Sequence, residues 1–252
     1  MVHDLSLCAN SFDLFAAMPT SLLAAWQHYQ QTAEGMLRRD TLQALDVFVT
    51  QWSMASQQER DNQLPGLALR LARSEQRIHG PLLERVVVPE LLAMRAAGSV
   101  EAIWLLARLR YDYAGRRCWR EFEIPPYTAL LQEALVLDPT YEPARTMFVQ
   151  RSLSGMEYVL HELPAGVLFD HDGASADDCL VLLQELDQVI ALMSPDERVE
   201  NADFLRYARF HFDAYRRYLL HTEHRGYFTW VTEVEKHPPD VFIDRRPVYR
   251  PR

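Results

Sequence analysis

The residues whose types best suit chemistry in this chain are Asp170, His171 and Asp172. Two carboxylates beside an imidazole can ligate a divalent cation or orient a general base. The triplet lies in PAGVLFDHDGASADD, the longest interruption of helical periodicity, where Gly166 and Gly173 mark a loop. It lacks the glycine position and terminal glutamate of a calcium loop. A metal-assisted hydrolase built on it would need further ligands from distant helices. His221, Glu223 and His224 form a second cluster. Their histidines miss the i, i+4 spacing that sets two zinc ligands on one helical face, so a polar helix end is the simpler reading. His161 beside Glu162 is too common a pair to carry catalysis. Cys8, Cys118 and Cys179 are odd in number and far apart, which fits buried free thiols better than a disulfide framework or a zinc site. No phosphate-binding glycine loop, nucleophile elbow or paired-cysteine motif occurs, so we expect neither a cofactor nor a bound metal.

Charge distribution is more informative than any motif. The formal net charge of the 252-residue chain is −9, and residues 126–203 hold fifteen acidic residues against three basic ones. Residues 204–252 reverse the balance, with ten basic and six acidic residues. Phosphate neutralisation needs clustered lysine and arginine, so nucleic acid is disfavoured as a partner. A basic protein is favoured instead. The acidic residues assigned to that contact, centred on 162–187, are Glu162, Asp170, Asp172, Asp177, Asp178, Glu185 and Asp187. At 48% hydrophobic and 24% charged residues the composition is that of a folded globular protein. No apolar run approaches the roughly 20 residues that span a bilayer. The N-terminal MVHDLSLCANSFDLF carries acids where a signal peptide has a positive start, so a cytoplasmic location without membrane association is expected.

Helices must position these residues, and their signals recur along the chain. Thr20 or Ser21 can cap a helix carrying Leu22, Leu23, Trp26 and Tyr29, and Asp40 can cap a second with Leu42, Leu45, Phe48, Val49 and Trp52. Residues 56–64 read as a polar connector before a helix whose first turn holds Pro65. Pro89 reads as the start of a helix ending at Gly98, with a short strand over the valines as the alternative. Ser99 precedes an amphipathic helix whose far end is basic through Arg108, Arg110, Arg116, Arg117 and Arg120. Ser175 caps a helix with Asp177 and Asp178 in its first turn. Ser194 and Pro195 open a long aromatic helix bearing Phe204, Tyr207, His211, Tyr215 and Tyr218.

The stretch YTALLQEALVLDPTYEPARTMFVQR, Tyr127 to Arg151, reads as helix, Asp-Pro turn, helix. Ala134 and Pro139 match the small residue and turn proline of the tetratricopeptide repeat, and Leu131 and Ala144 fit its packing positions, so the hairpin resembles that family. The resemblance covers about one repeat, because the positions where the family places Trp, Gly and Tyr hold Arg110, Ala114 and Cys118. It implies stacked antiparallel helical hairpins that bind other proteins. We therefore expect one all-α domain over residues 1–252, with an N-terminal segment at 1–19 and an extended proline- and arginine-rich tail at 237–252. The expected function is an interaction module for a basic protein, in a specific form an immunity protein that neutralises a toxin. The alternatives are the metal-assisted hydrolase above and a scaffold or chaperone-like helper that holds an extended peptide in its groove.

Overall fold

A computed structural model of the chain describes residues 19–34, 38–73, 80–161, 163, 168, 175–221 and 226–233, and all regular secondary structure among them is helical. No helix among the described residues is long and apolar enough to cross a membrane. The chain divides into two compact units, Met1–Ala144 and Arg145–Arg252.

In the first unit α1 (Thr20–Glu34) packs on α2 (Arg38–Met54). Their apolar residues recur every three or four positions and meet as an aromatic slab. Trp26 lies 5.7 Å from Tyr29 and 5.3 Å from Phe48, and Phe48 lies 5.8 Å from Trp52, between ring centroids. Asp40 sits inside the first turn of α2 rather than at its cap, where a carboxylate still faces the positive helix end.

Two expectations fail in the next stretch. The polar segment 57–64 is no connector but the first half of α3 (Gln57–Arg73), with Pro65 inside the helix. Ser56 and Glu59 explain the early start. The Ser56 N–H donates to the Glu59 carboxylate at 2.8 Å and the Glu59 N–H returns a bond to Ser56 Oγ at 3.3 Å, a capping box that precedes good helix formers. Pro89 likewise does not begin a helix. α4 (Gly80–Leu82), a π-helical turn (Leu83–Val87) and α5 (Val88–Ala96) follow without a break. Proline cannot donate to the carbonyl four residues back and its ring collides with it, and the wider turn accommodates both effects. The Val88 N–H donates to the Leu83 carbonyl, and Val86, Val87 and Val88 are all buried, so the strand alternative is also excluded there.

Gly98 ends this run at φ 84°, with its N–H bonded to the Arg95 carbonyl at 2.9 Å and the Ser99 N–H to the Met94 carbonyl at 3.0 Å. That is a Schellman motif with glycine in the left-handed position. Ser99 then caps α6 (Val100–Asp112). Ala102, Ile103, Leu105, Leu106, Ala107 and Leu109 are buried around most of its circumference, because α3, α5 and α8 (Tyr127–Leu137) all pack on it. The short α7 (Cys118–Glu121) lies between α6 and α8.

The Asp-Pro turn ends α8 as expected. Asp138 caps it in extended conformation, and its Oδ1 accepts from the Thr140 N–H at 2.9 Å and hydroxyl at 2.7 Å. These bonds hold the Asp138 carboxyl below its ordinary range. α9 (Glu142–Leu160) begins two residues after Thr140.

Most of α9 belongs to the second unit, with α10 (Ala176–Leu192), α11 (Pro195–Glu200), α12 (Ala202–Leu220) and α13 (Tyr227–Glu233). The helix opened by Ser194 and Pro195 is not the long one. It stops at Asn201, whose side-chain amide donates to the Glu197 carbonyl at 2.8 Å, and the aromatic helix restarts at Ala202. α12 packs on α10 and α13.

Candidate protein-binding surface

Four of the residues expected to meet a partner lie on α10. Its first turn is fixed by a capping box: the Asp178 N–H donates to Ser175 Oγ at 3.2 Å, and the Ser175 N–H donates back to the Asp178 carboxylate at 2.8 Å. Asp178 is therefore occupied structurally. Cys179, Leu182, Leu186 and Val189 recur at helical spacing and face the core against α12. The opposite stripe of Asp177, Val181, Gln184 and Gln188 is exposed. Glu185 is partly buried beside it, and exposed Asp187 pairs with Arg209 of α12. Glu162, Asp170 and Asp172 lie outside the described residues, as do His171, Glu223, His224, Cys8 and the segment 237–252.

α11 extends the acidic surface and is held by a capping box of its own. The Ser194 N–H donates to Glu197 Oε2 at 2.8 Å and the Glu197 N–H to Ser194 Oγ at 3.2 Å. Arg145 reaches the same carboxylate at 2.8 Å and donates to the Leu192 carbonyl at 2.9 Å, tying α9 to the α10–α11 junction. Burial works to raise the Glu197 carboxyl, but hydrogen bonds from Arg145 and Ser194 outweigh it and hold the group below its ordinary range. From Ala176 to Asp203 the sequence has eight acidic residues and a single basic one, Arg198. Charge counting missed two further residues: Val181 is 60% exposed and Val199 is 78% exposed. Their signal was an apolar side chain at a solvent-facing helical position.

No group of three or more His, Cys, Asp or Glu suited to a metal occurs among the described residues. His211 is fully buried, 2.8 Å from the Tyr227 hydroxyl through Nδ1 and 4.4 Å from the Tyr207 ring between centroids. Tyr215 and Tyr227 are 5.1 Å apart, and Tyr218 and Trp230 are 5.9 Å apart. This aromatic cluster seats α13 on α12 and serves packing. Burial pushes the Cys179 thiol up to about 11, helped by the neighbouring Asp178, which suits an inert core thiol.

No protein-family model matches the chain, and no curated protein and no solved structure shows significant similarity to it.

Proposed function

We propose that the protein is an interaction module that presents the acidic surface of α10 and α11 to a basic protein partner. The observation that supports this most is the run from Ala176 to Asp203, in which eight acids surround Val181 and Val199, two exposed apolar residues. Desolvated apolar contacts set the lifetime of a complex, while the surrounding carboxylates speed encounter with a cation-rich partner. In its specific form the partner is a basic toxin whose active site the module occludes, as an immunity protein does in the cytoplasm. The tetratricopeptide resemblance belongs to the same reading, and it is supported by the burial of Leu131, Ala134 and Ala144, the residues at its packing positions.

The test is charge reversal on exposed positions that hold no structural bond. Asp177→Lys combined with Val181→Ser is compared with wild type for binding to the partner recovered from native extract. Association should slow with Asp177→Lys and lose its salt dependence in part, and dissociation should quicken with Val181→Ser. Unchanged binding in the double variant across salt overturns the proposal. Asp178 is unsuitable, because its reversal would break the α10 cap.

A further inference from the structure

A surface of opposite character is built into the first unit, where α6 turns into α7. Five arginines, Arg108, Arg110, Arg116, Arg117 and Arg120, fall within thirteen residues. Arg108 pairs with Asp112 at 2.8 Å and Arg117 with Glu121 at 2.7 Å, the latter with an 81% exposed arginine side chain. Arg110 and Arg120 have no carboxylate partner among the described residues. The Arg110 guanidinium lies 5.9 Å over the Trp119 ring, and the buried Trp119 is pinned by its Nε1–H to the Tyr113 carbonyl at 2.6 Å. Arg110 is thus held by stacking, with its donors free of any carboxylate.

Two aromatics flank these cations at the surface, Tyr111 at 36% and Phe122 at 39% exposure. The backbone beside Phe122 is fixed by a second Schellman motif: the Ile124 N–H donates to the Trp119 carbonyl at 2.8 Å and the Glu123 N–H to the Arg120 carbonyl at 3.2 Å. Its left-handed position, φ 51°, is filled by Glu123 and not by glycine. Buried Ile124 and the Pro125–Pro126 pair follow directly. Phe122 is therefore displayed on a rigid corner between two buried anchors, Trp119 and Ile124. Arginine and aromatic side chains on a preorganised backbone are the composition of interface hot spots.

We propose that the α6–α7 corner is a docking surface for an acidic segment of another protein that carries an apolar residue to meet Phe122. Carboxylates of that segment take the guanidinium forks of Arg110 and Arg120, which suit planar bidentate acceptors. The corner's own Asp112, Glu121 and Glu123 leave few net positive charges, and the chain as a whole carries −9. That field opposes a continuous polyphosphate but admits a peptide with a few carboxylates. This surface stands on a different unit from the α10–α11 face, and neither reading depends on the other.

Fluorescence anisotropy on the full chain tests it, with a labelled twelve-residue peptide containing four glutamates around a Leu-Phe pair, its lysine counterpart, and a twelve-nucleotide oligouridylate. The glutamate peptide should bind at low salt, and Arg120→Glu and Phe122→Ser should each weaken it at least tenfold. Both positions are exposed, and unchanged far-UV dichroism and melting confirm folding. Failure of the glutamate peptide to bind, binding indifferent to both substitutions, or tighter binding of the oligouridylate overturns the proposal. Concentration-dependent self-association in sedimentation that Arg120→Glu abolishes also overturns it, by making a second copy the occupant.

Discussion

Arg145 and Glu197 are 52 residues apart in sequence and 2.8 Å apart in space, with 17% and 32% of their side chains exposed. The pair joins the start of the second unit to the capping box of α11, so one carboxylate serves an ion pair and a helix end together. Glu197→Gln keeps an acceptor for the Ser194 N–H and removes the charge, which should cost about 1 kcal/mol at neutral pH. Glu197→Ala loses the cap as well and should cost about 2 kcal/mol. Because the folded carboxyl titrates below its ordinary value, its contribution is present above about pH 4.3 and is lost as pH falls through the folded value. The wild-type advantage over Glu197→Gln in urea midpoint should accordingly hold from neutral to mildly acidic pH and shrink in strong acid. A gap that grows on acidification contradicts the assignment.

Glu90 organises a second polar cluster, accepting from Trp52 Nε1 at 3.0 Å and facing Arg60 Nε at 3.2 Å. With 19% and 21% of the two charged side chains exposed, removal of the carboxylate strands the Trp52 donor and leaves Arg60 only its bonds to the Ala55 carbonyl and the Gln57 side chain. We expect Glu90→Leu to destabilise by about 2 kcal/mol. Glu90→Gln, which retains an acceptor, should lose about half of that. Denaturant titration followed by tryptophan emission reads both.

The two Schellman motifs give opposite expectations for glycine. Gly98→Ala forces an L side chain to φ 84° and should destabilise by about 1 kcal/mol. Glu123→Gly relieves the same conformation at φ 51°, and after the entropy cost of glycine in the unfolded chain it should raise stability by about 0.5 kcal/mol. If Glu123→Gly lowers the melting temperature, the strain assigned to that position is absent.

Buried thiols should resist alkylation. Cys118 and Cys179 are both fully buried, and burial raises both thiols, Cys179 to about 11. Little of the Cys179 thiol is therefore ionised at pH 8. Peptide mapping after iodoacetamide treatment should find both cysteines unmodified in the native protein and modified after denaturation. Rapid native labelling of Cys179 would place it at the surface.

The Tyr227 hydroxyl meets Nδ1 of fully buried His211 at 2.8 Å and anchors α13. Tyr227→Phe should cost about 1 kcal/mol. Hydrogen exchange should report the loosening first in α13, the last helix described.

The elements most legible in the sequence were those with a local cause. The stripe Trp26, Tyr29, Phe48 and Trp52, the caps Ser99, Ser175 and Ser194, and the stop at Asp138–Pro139 all act through residues a few positions apart. Glutamine-rich 57–64 looked like a connector because polarity suggested a loop, although Ser56 and Glu59 spell a capping box. The break at Asn201 was invisible because Ser194 and Pro195 give a strong start signal and the polar α11 buries no residue whose spacing could mark its end. The acidic surface was legible as a sum and illegible in its parts. Asp178 is spent on a cap, and Asp187 and Glu197 on arginines 22 and 52 residues distant, contacts that no local pattern announces. What remains open to a partner is narrower than the count implied, and it includes Val181 and Val199, which carry no charge.

The π-helical turn at Leu83–Val87 also fixes a register. Relative to an unbroken α-helix it holds one surplus residue, so everything after it is rotated by about 100°. Both sides of the turn nevertheless bury their apolar residues, Leu82 before it and Val88 and Leu91 after it. The helix therefore carries two hydrophobic frames that agree only because of the insertion. Removing a single residue there would straighten the hydrogen-bond ladder and turn Leu91 out of the core, a frameshift in three dimensions without one in the gene.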